Sequence, residues 1–206
     1  MKKRKIFIVL MSLFVLLSMT SCGTKEEKKV EDGGSSKVDV YANPKKVNIE
    51  IEKYGTISLE LYPNLAPVTV DNFISLVNKQ FYDGLTFHRI MDGFMMQGGN
   101  AWGTEKESLA KTIKGEFKEN GYDNPLSHTK GVISMARADD PNSASSQFFI
   151  VDEDSIFLDG KYAAFGKVTS GIEIVDKICK DAVVEDNNGT VLPENQPVIK
   201  RIYMVE

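Results

Sequence analysis

The stretch Phe87-His88-Arg89-Ile90-Met91-Asp92-Gly93-Phe94-Met95-Met96-Gln97-Gly98-Gly99 sets an arginine and a glutamine among large apolar residues, with glycines beside them. A second run, Ser146-Gln147-Phe148-Phe149-Ile150, repeats that chemistry about fifty residues later. Strands bury their inward faces, so a cation and two amides among Phe and Met imply a partly apolar groove with a few aimed hydrogen-bond donors. Such a groove suits a peptide. On a strand Gln147 and Phe149 point to one face and Phe148 to the other, which places Phe148 in the core and Gln147 at the groove.

Working outward, Val47-Asn48-Ile49-Glu50-Ile51 and Thr56-Ile57-Ser58-Leu59-Glu60-Leu61 alternate apolar with polar around Tyr54-Gly55 and read as a hairpin with one wet face per strand. Pro67 opens a helix as a first-turn residue, and Val70, Phe73, Ile74 and Val77 then form one stripe at helical spacing. A second helix fits Gly171 to Lys180. Its Ile172, Val175 and Cys179 share a face, so Cys179 reads as a buried small hydrophobe and not a reactive thiol. The other apolar runs, Thr86 to Ile90, Phe94 to Gln97, Gly131 to Met135, Gln147 to Val151, Ala163 to Val168 and Val198 to Val205, are short and rich in aromatic or branched residues. Several strands and two helices make a mainly β domain with an antiparallel sheet; composition alone does not separate a barrel from a sandwich.

Three blocks resemble the signature segments of the cyclophilin family of peptidyl-prolyl cis/trans isomerases. They are Phe87 to Gly99; Gly131 to Ala136 with Ser146 to Ile150; and Phe157-Leu158-Asp159-Gly160-Lys161 with Phe165-Gly166-Lys167-Val168. The similarity runs from about Val47 to Val205. It implies a closed eight-stranded antiparallel β-barrel capped by two α-helices. It also implies catalysis of rotation about X-Pro bonds in proline-containing segments of unfolded or exported proteins, with no cofactor and no metal. Arg89 matches the family's catalytic arginine and Gln97 the glutamine that orients it. Phe94, Met95, Phe149 and Leu158 match the proline pocket, and Ala136 and Arg137 the edge that pairs with substrate backbone; Gln147 completes the groove. Phe157 and Tyr162 stand where tryptophan and histidine are frequent in eukaryotic relatives. Both remain aromatic walls, and losing the indole N–H implies weak cyclosporin binding. Arg137 replaces a frequent asparagine, a change expected to touch selectivity for acidic substrates more than chemistry. The segment Asn100 to Ser108, with Trp102, lacks the family's glycine-rich run and bears on selectivity too. The two histidines, His88 and His128, are expected to hold loops or strands by hydrogen bonds; without a nearby Cys or carboxylate set they make a poor metal site. Two other readings of the groove are a Pro-segment-binding chaperone and an envelope scaffold with incidental turnover. Retention of Arg89 and Gln97 favours an enzyme over the chaperone, and the tether carries no recognition motif that would favour the scaffold.

The amino-terminal end carries an address. Lys2, Lys3, Arg4 and Lys5 precede the apolar run Ile6 to Met19, which is shorter than the roughly 20 residues a bilayer-spanning helix needs. Met19-Thr20-Ser21-Cys22 resembles a lipobox, so residues 1–21 read as a lipoprotein signal peptide and Cys22 as the lipidated residue. The expected location is the cell membrane, lipid-anchored on its extracytoplasmic face. Residues 22–44 then form a flexible polar tether, and 45–206 the folded domain. Loss of the first 21 residues removes four of the 25 basic side chains and none of the 29 acidic ones, leaving 21 against 29, a net charge of −8. That acidity argues against nucleic acid as a partner. With Cys22 lipidated, Cys179 has no partner for an intrachain disulfide, and stability rests on the core.

Overall fold

The computed structural model describes residues 39–205, all within the compact unit Lys37–Glu206. The expected signal peptide, Cys22 and most of the tether lie outside the described residues.

The chain opens with the hairpin β1 (Lys45–Ile51) and β2 (Gly55–Leu61), in which every second residue is buried. Helix α1 (Pro67–Asn78) follows, with Pro67 in its first turn, where a missing N–H costs nothing. Strands β3 (Phe87–Met91) and β4 (Met95–Gly98) make a second hairpin, β5 (Val132–Met135) and β6 (Phe148–Val151) a pair joined by a long excursion, and β7 (Ala164–Ser170) leads into α2 (Ile172–Asp181) and β8 (Ile199–Val205). Each predicted strand and both helices occur within a residue or two of their expected limits.

All eight strands belong to one antiparallel sheet in the order β3-β4-β6-β5-β7-β2-β1-β8. The closed barrel expected from the family resemblance is corrected here: the sheet is a curled half-barrel, and β3 and β8 form no continuous ladder. They meet near their ends through the single bridge Thr86↔Val198 and the bonds Phe87 N–H to Pro197 O and Ile199 N–H to Leu85 O. Pro197 has no N–H to extend that pairing. Beyond it the outer edge of β3 is taken by residues 189–191: Ile90 N–H donates to Gly189 O and Val191 N–H to His88 O.

The concave face holds the core. Phe148 packs edge-on against Phe73, Tyr82 and Phe87, with ring centroids 5.5, 5.5 and 6.0 Å apart, a geometry that adds to plain area burial. Tyr82 is fully buried, and its hydroxyl donates to Ser146 O at 3.1 Å. Val175, Ile178 and Cys179 are the buried residues of α2. Burial pushes the Cys179 thiol well above its ordinary pKa, consistent with a packing role.

Helix α1 begins without a capping side chain of its own. Its first amides are met instead by Glu116, 2% exposed, whose carboxylate accepts from Val68 N–H (3.0 Å), Thr69 N–H (2.8 Å) and the Thr69 hydroxyl (2.7 Å). A carboxylate there satisfies amides the helix cannot and suits the positive end of its dipole.

Candidate active site

The convex face of β3, β4, β6 and β5 carries one row of facing residues: Arg89 opposite Gln97, Gln97 opposite Phe149, Phe149 opposite Ser134. In a regular strand Phe87 and Arg89 would share a face. The β3–β4 register shifts between them, so Phe87 is fully buried in the core while Arg89 stands on the opposite side, half-buried. That irregularity delivers the guanidinium to the site.

Arg89 is held at three points. Its Nε donates to Asn188 O at 2.8 Å, its Nη1 to Gln97 Oε1 at 3.3 Å, and its Nη2 reaches Met91 Sδ at 3.4 Å. Gln97 Nε2 then donates to Gln147 Oε1 at 2.9 Å. The fork keeps further N–H groups for a ligand, since a guanidinium carries five donors in a fixed plane.

Beside this chain of bonds lies a cleft of about 110 Å³ lined by Arg89, Phe94, Met95, Gln97, Ala136, Arg137, Phe149, Leu158 and Tyr162. This is well under the roughly 300 Å³ of a drug-sized site and on the scale of one side chain. Nine of the eleven residues expected at the groove line it. The other two stand alongside. Phe157, 61% exposed, tilts against Phe94 with centroids 5.5 Å apart, and Gln147 touches the cleft only through Gln97.

The walls are braced from behind. Phe149 lies stacked on the His128 ring at 6.0 Å, and that buried ring is fixed between Asp159 Oδ1 (Nδ1, 2.9 Å) and Ser134 Oγ (Nε2, 3.0 Å). Burial lowers the His128 pKa, against the opposing pull of Asp159. His128 thus fills the structural place expected of it. His88 does so less completely: its Nδ1 has no partner, and burial followed by the nearby Arg89 charge lowers its pKa. Among the described residues no group of three or more His, Cys, Asp or Glu is placed to hold a metal.

Arg137 is more constrained than an exposed arginine. Its guanidinium lies 4.8 Å from the Tyr162 ring centre and 5.1 Å from that of Phe117, and it donates to Lys161 O at 3.0 Å and Ala138 O at 2.9 Å. The neighbouring Ala136 N–H is taken by Gln147 O at 2.9 Å. Sequence reasoning missed Asn188 and Met91. Asn188 acts through its carbonyl, which leaves no side-chain signal, and Met91 reads as ordinary apolar filling.

The family model for cyclophilin type peptidyl-prolyl cis-trans isomerase/CLD matches residues 46–204. The chain belongs to the cyclophilin-type isomerases. Among curated cyclophilin relatives, peptidyl-prolyl cis-trans isomerase B of Bacillus subtilis is 44% identical over 136 residues, covering 66% of this chain and 92% of its own length. The peptidyl-prolyl cis-trans isomerase of Acinetobacter baylyi is 45% identical over 130 residues, 60% of this chain and 66% of its own. A solved Cryptosporidium parvum cyclophilin type peptidyl-prolyl cis-trans isomerase superposes with a TM-score of 0.66 at 28% identity, over 79% of this chain and 98% of that one. The same protein was solved in the presence of the dipeptide Ala-Pro. Like those relatives, this cyclophilin is a peptidyl-prolyl cis-trans isomerase.

Proposed function

We propose that this isomerase turns X-Pro bonds in exported proteins at the outer face of the membrane, held there by lipid on Cys22. The observation that carries the catalytic part is the placement of a triply held guanidinium in the lining of a ring-sized cleft, beside Phe94, Met95, Phe149 and Leu158.

The barrier to be lowered is about 18–20 kcal/mol, because the planar amide loses its resonance as it twists. No nucleophile, cofactor or metal is needed. Phe94, Met95, Phe149 and Leu158 hold the proline ring while the backbone at Ala136 and Arg137 holds the peptide on either side. As the amide twists, its nitrogen becomes pyramidal and accepts a hydrogen bond that the planar form cannot. Arg89 supplies that donor in a geometry fixed in advance, so the interaction favours the transition state over the ground state. Every 1.4 kcal/mol of that preference is worth about tenfold in rate.

The location rests on sequence: the basic start, the short apolar run and Met19-Thr20-Ser21-Cys22. Fractionating cells that make the natural chain or Cys22→Ala tests it. The natural chain is expected in the membrane fraction with a lipid label, and the variant in the soluble fraction without one. Equal distribution of the two would contradict the anchor. The envelope role is tested in the same cells, where Arg89→Ala is expected to slow maturation of exported proteins whose folding waits on proline. Unchanged maturation would favour a chaperone or scaffold role.

A further inference from the structure

The turn that meets Arg89 lies 99 residues along the chain from it and has a construction of its own. Residues 184–191 fold back on themselves: Val184 bridges Val191, and Glu185 N–H donates to Thr190 O at 2.8 Å. The return arm lies along β3. Thr190 bridges Arg89, and the bonds Ile90 N–H to Gly189 O (2.8 Å) and Val191 N–H to His88 O (3.0 Å) bracket it. At the tip Gly189 takes φ +81, and a Cβ there would lie 2.4 Å from Ile90 O and 2.5 Å from Met91 Cγ. The glycine therefore lets the turn close onto the strand, which aims the Asn188 carbonyl at Arg89 Nε.

Asp186 organises this turn. Its Oδ1 accepts from Asn188 N–H at 2.9 Å and Thr190 N–H at 3.0 Å, and its Oδ2 accepts from the Thr190 hydroxyl at 2.9 Å. Gly189 and Val191 are buried against β3, but residues 183–188 and Thr190 are exposed, so packing fixes the return arm and not the Asp186–Asn188 side of the turn. The Asn188 carbonyl has to keep one orientation for the guanidinium to keep its own, and the Asp186 carboxylate supplies the local constraint.

We propose that Asp186 is a positioning residue for isomerisation: it holds the Asn188–Gly189 turn so that the Asn188 carbonyl fixes Arg89 at the cleft. This rests on the isomerase reading of Arg89. Asp186 itself touches neither the cleft nor, by any hydrogen bond, Arg89. Bonds from Thr190 first, then Asn188 and Gly189, hold its carboxyl below the ordinary carboxylate range, so it remains ionised under the conditions in which the turn must hold.

The test uses the intact chain and three variants, Asp186→Ala, Asp186→Asn and Arg89→Ala, with the Asp186→Ala/Arg89→Ala double variant. Turnover of an Ala-Pro peptide and the NMR signal of the Arg89 Nε–H are followed. Misplacing a catalytic group by about 1 Å can cost up to about a hundredfold, so Asp186→Ala is expected to lower kcat by roughly 5- to 50-fold with KM little changed. The Arg89 Nε–H is expected to exchange faster with water. Asp186→Asn keeps an oxygen for the two amides and is expected to restore most of both readouts. In the Arg89→Ala background Asp186→Ala is expected to add nothing, because the two act as one unit. No turnover by the unaltered chain would sink the isomerase reading itself. Normal turnover together with an Asp186→Ala variant unchanged in kcat and in the Nε–H signal, or equally impaired with and without Arg89, would overturn the positioning role alone.

Discussion

Arg89 and Gln97 face each other directly across the β3–β4 ladder and share a hydrogen bond of 3.3 Å from Nη1 to Oε1. Because Gln97 also donates to Gln147 at 2.9 Å, its amide cannot turn over without breaking a second bond. The acceptor presented to Arg89 is thereby fixed. Replacing Gln97 with alanine removes the acceptor while leaving the Asn188 contact. We predict a fall in kcat of about tenfold with a much smaller change in KM, since the group lost orients a catalytic donor more than it binds ground-state peptide. Steady-state kinetics on a proline peptide would decide it; a change confined to KM would assign Gln97 to binding alone.

Glu116 supports the fold away from the cleft. Glu116→Ala leaves the buried Thr69 N–H and hydroxyl, and the partly buried Val68 N–H, without their partner. Loss of a cap and of buried bonds predicts a destabilisation of about 2–4 kcal/mol. Urea unfolding measures it, and the kcat of the folded fraction is expected to stay near normal. A loss below about 0.5 kcal/mol would mean that water replaces the carboxylate at no cost.

Acid is expected to weaken the protein before carboxylates reach their ordinary range. Burial lowers the pKa of both His128 and His88 from the usual 6.5 in the folded state. The unfolded chain then binds more protons than the native one as pH falls below that value, and stability declines. Asp159 works in the same direction at lower pH. Burial tends to raise its pKa, but bonds from Ser127 and from the backbone and ring of His128 outweigh it and leave a net lowering, so its stabilisation is lost as pH falls through that lowered value. The unfolding free energy from urea titrations is expected to fall steadily from pH 6.5 to 5, by no more than about 1.4 kcal/mol per pH unit for each histidine, and the urea midpoint with it. A flat midpoint over that span would contradict the assignment.

Phe157 offers an aromatic surface but no N–H, and at 61% exposed it stands outside the cleft that Phe94 lines. Weak inhibition by cyclosporin is expected, and Phe157→Trp should strengthen it by roughly tenfold, the worth of one added hydrogen bond. Submicromolar inhibition of the natural chain would contradict this.

Much of the fold was legible in the sequence because its signals are local. The alternation in Val47 to Leu61, the proline at 67 and the stripe from Val70 to Val77 each specify an element from neighbouring residues alone. That the sheet stays open between β3 and β8 was not legible, since it depends on how residues 182–198 lie against the edge of β3 and on a proline that ends the pairing there. Strand parity also misleads at Phe87 and Arg89, which share a parity but occupy opposite faces because of the register shift between them. Parity served better at Phe148 and Phe149, which stand in a regular register. The cleft residues came from matched blocks of sequence. Groups that act at a distance in sequence came only from three-dimensional placement: a main-chain oxygen at Asn188 that meets Arg89, a carboxylate at Asp186 that bonds the same turn, and, away from the cleft, Glu116 set 47 residues from the threonine it bonds.

Arg89 carries most of the proposed chemistry. The direct measurement is exchange of an Ala-Pro peptide between its cis and trans forms, catalysed by the intact chain, by Arg89→Ala and by Arg89→Lys, with the fold of each checked by circular dichroism. The alanine variant removes every donor, and the lysine variant keeps the charge but loses the planar fork that Asn188 and Gln97 hold. The account predicts fast exchange with the natural chain and a fall of at least about a hundredfold in both variants, all three equally folded. Exchange by Arg89→Ala at close to the natural rate would contradict it.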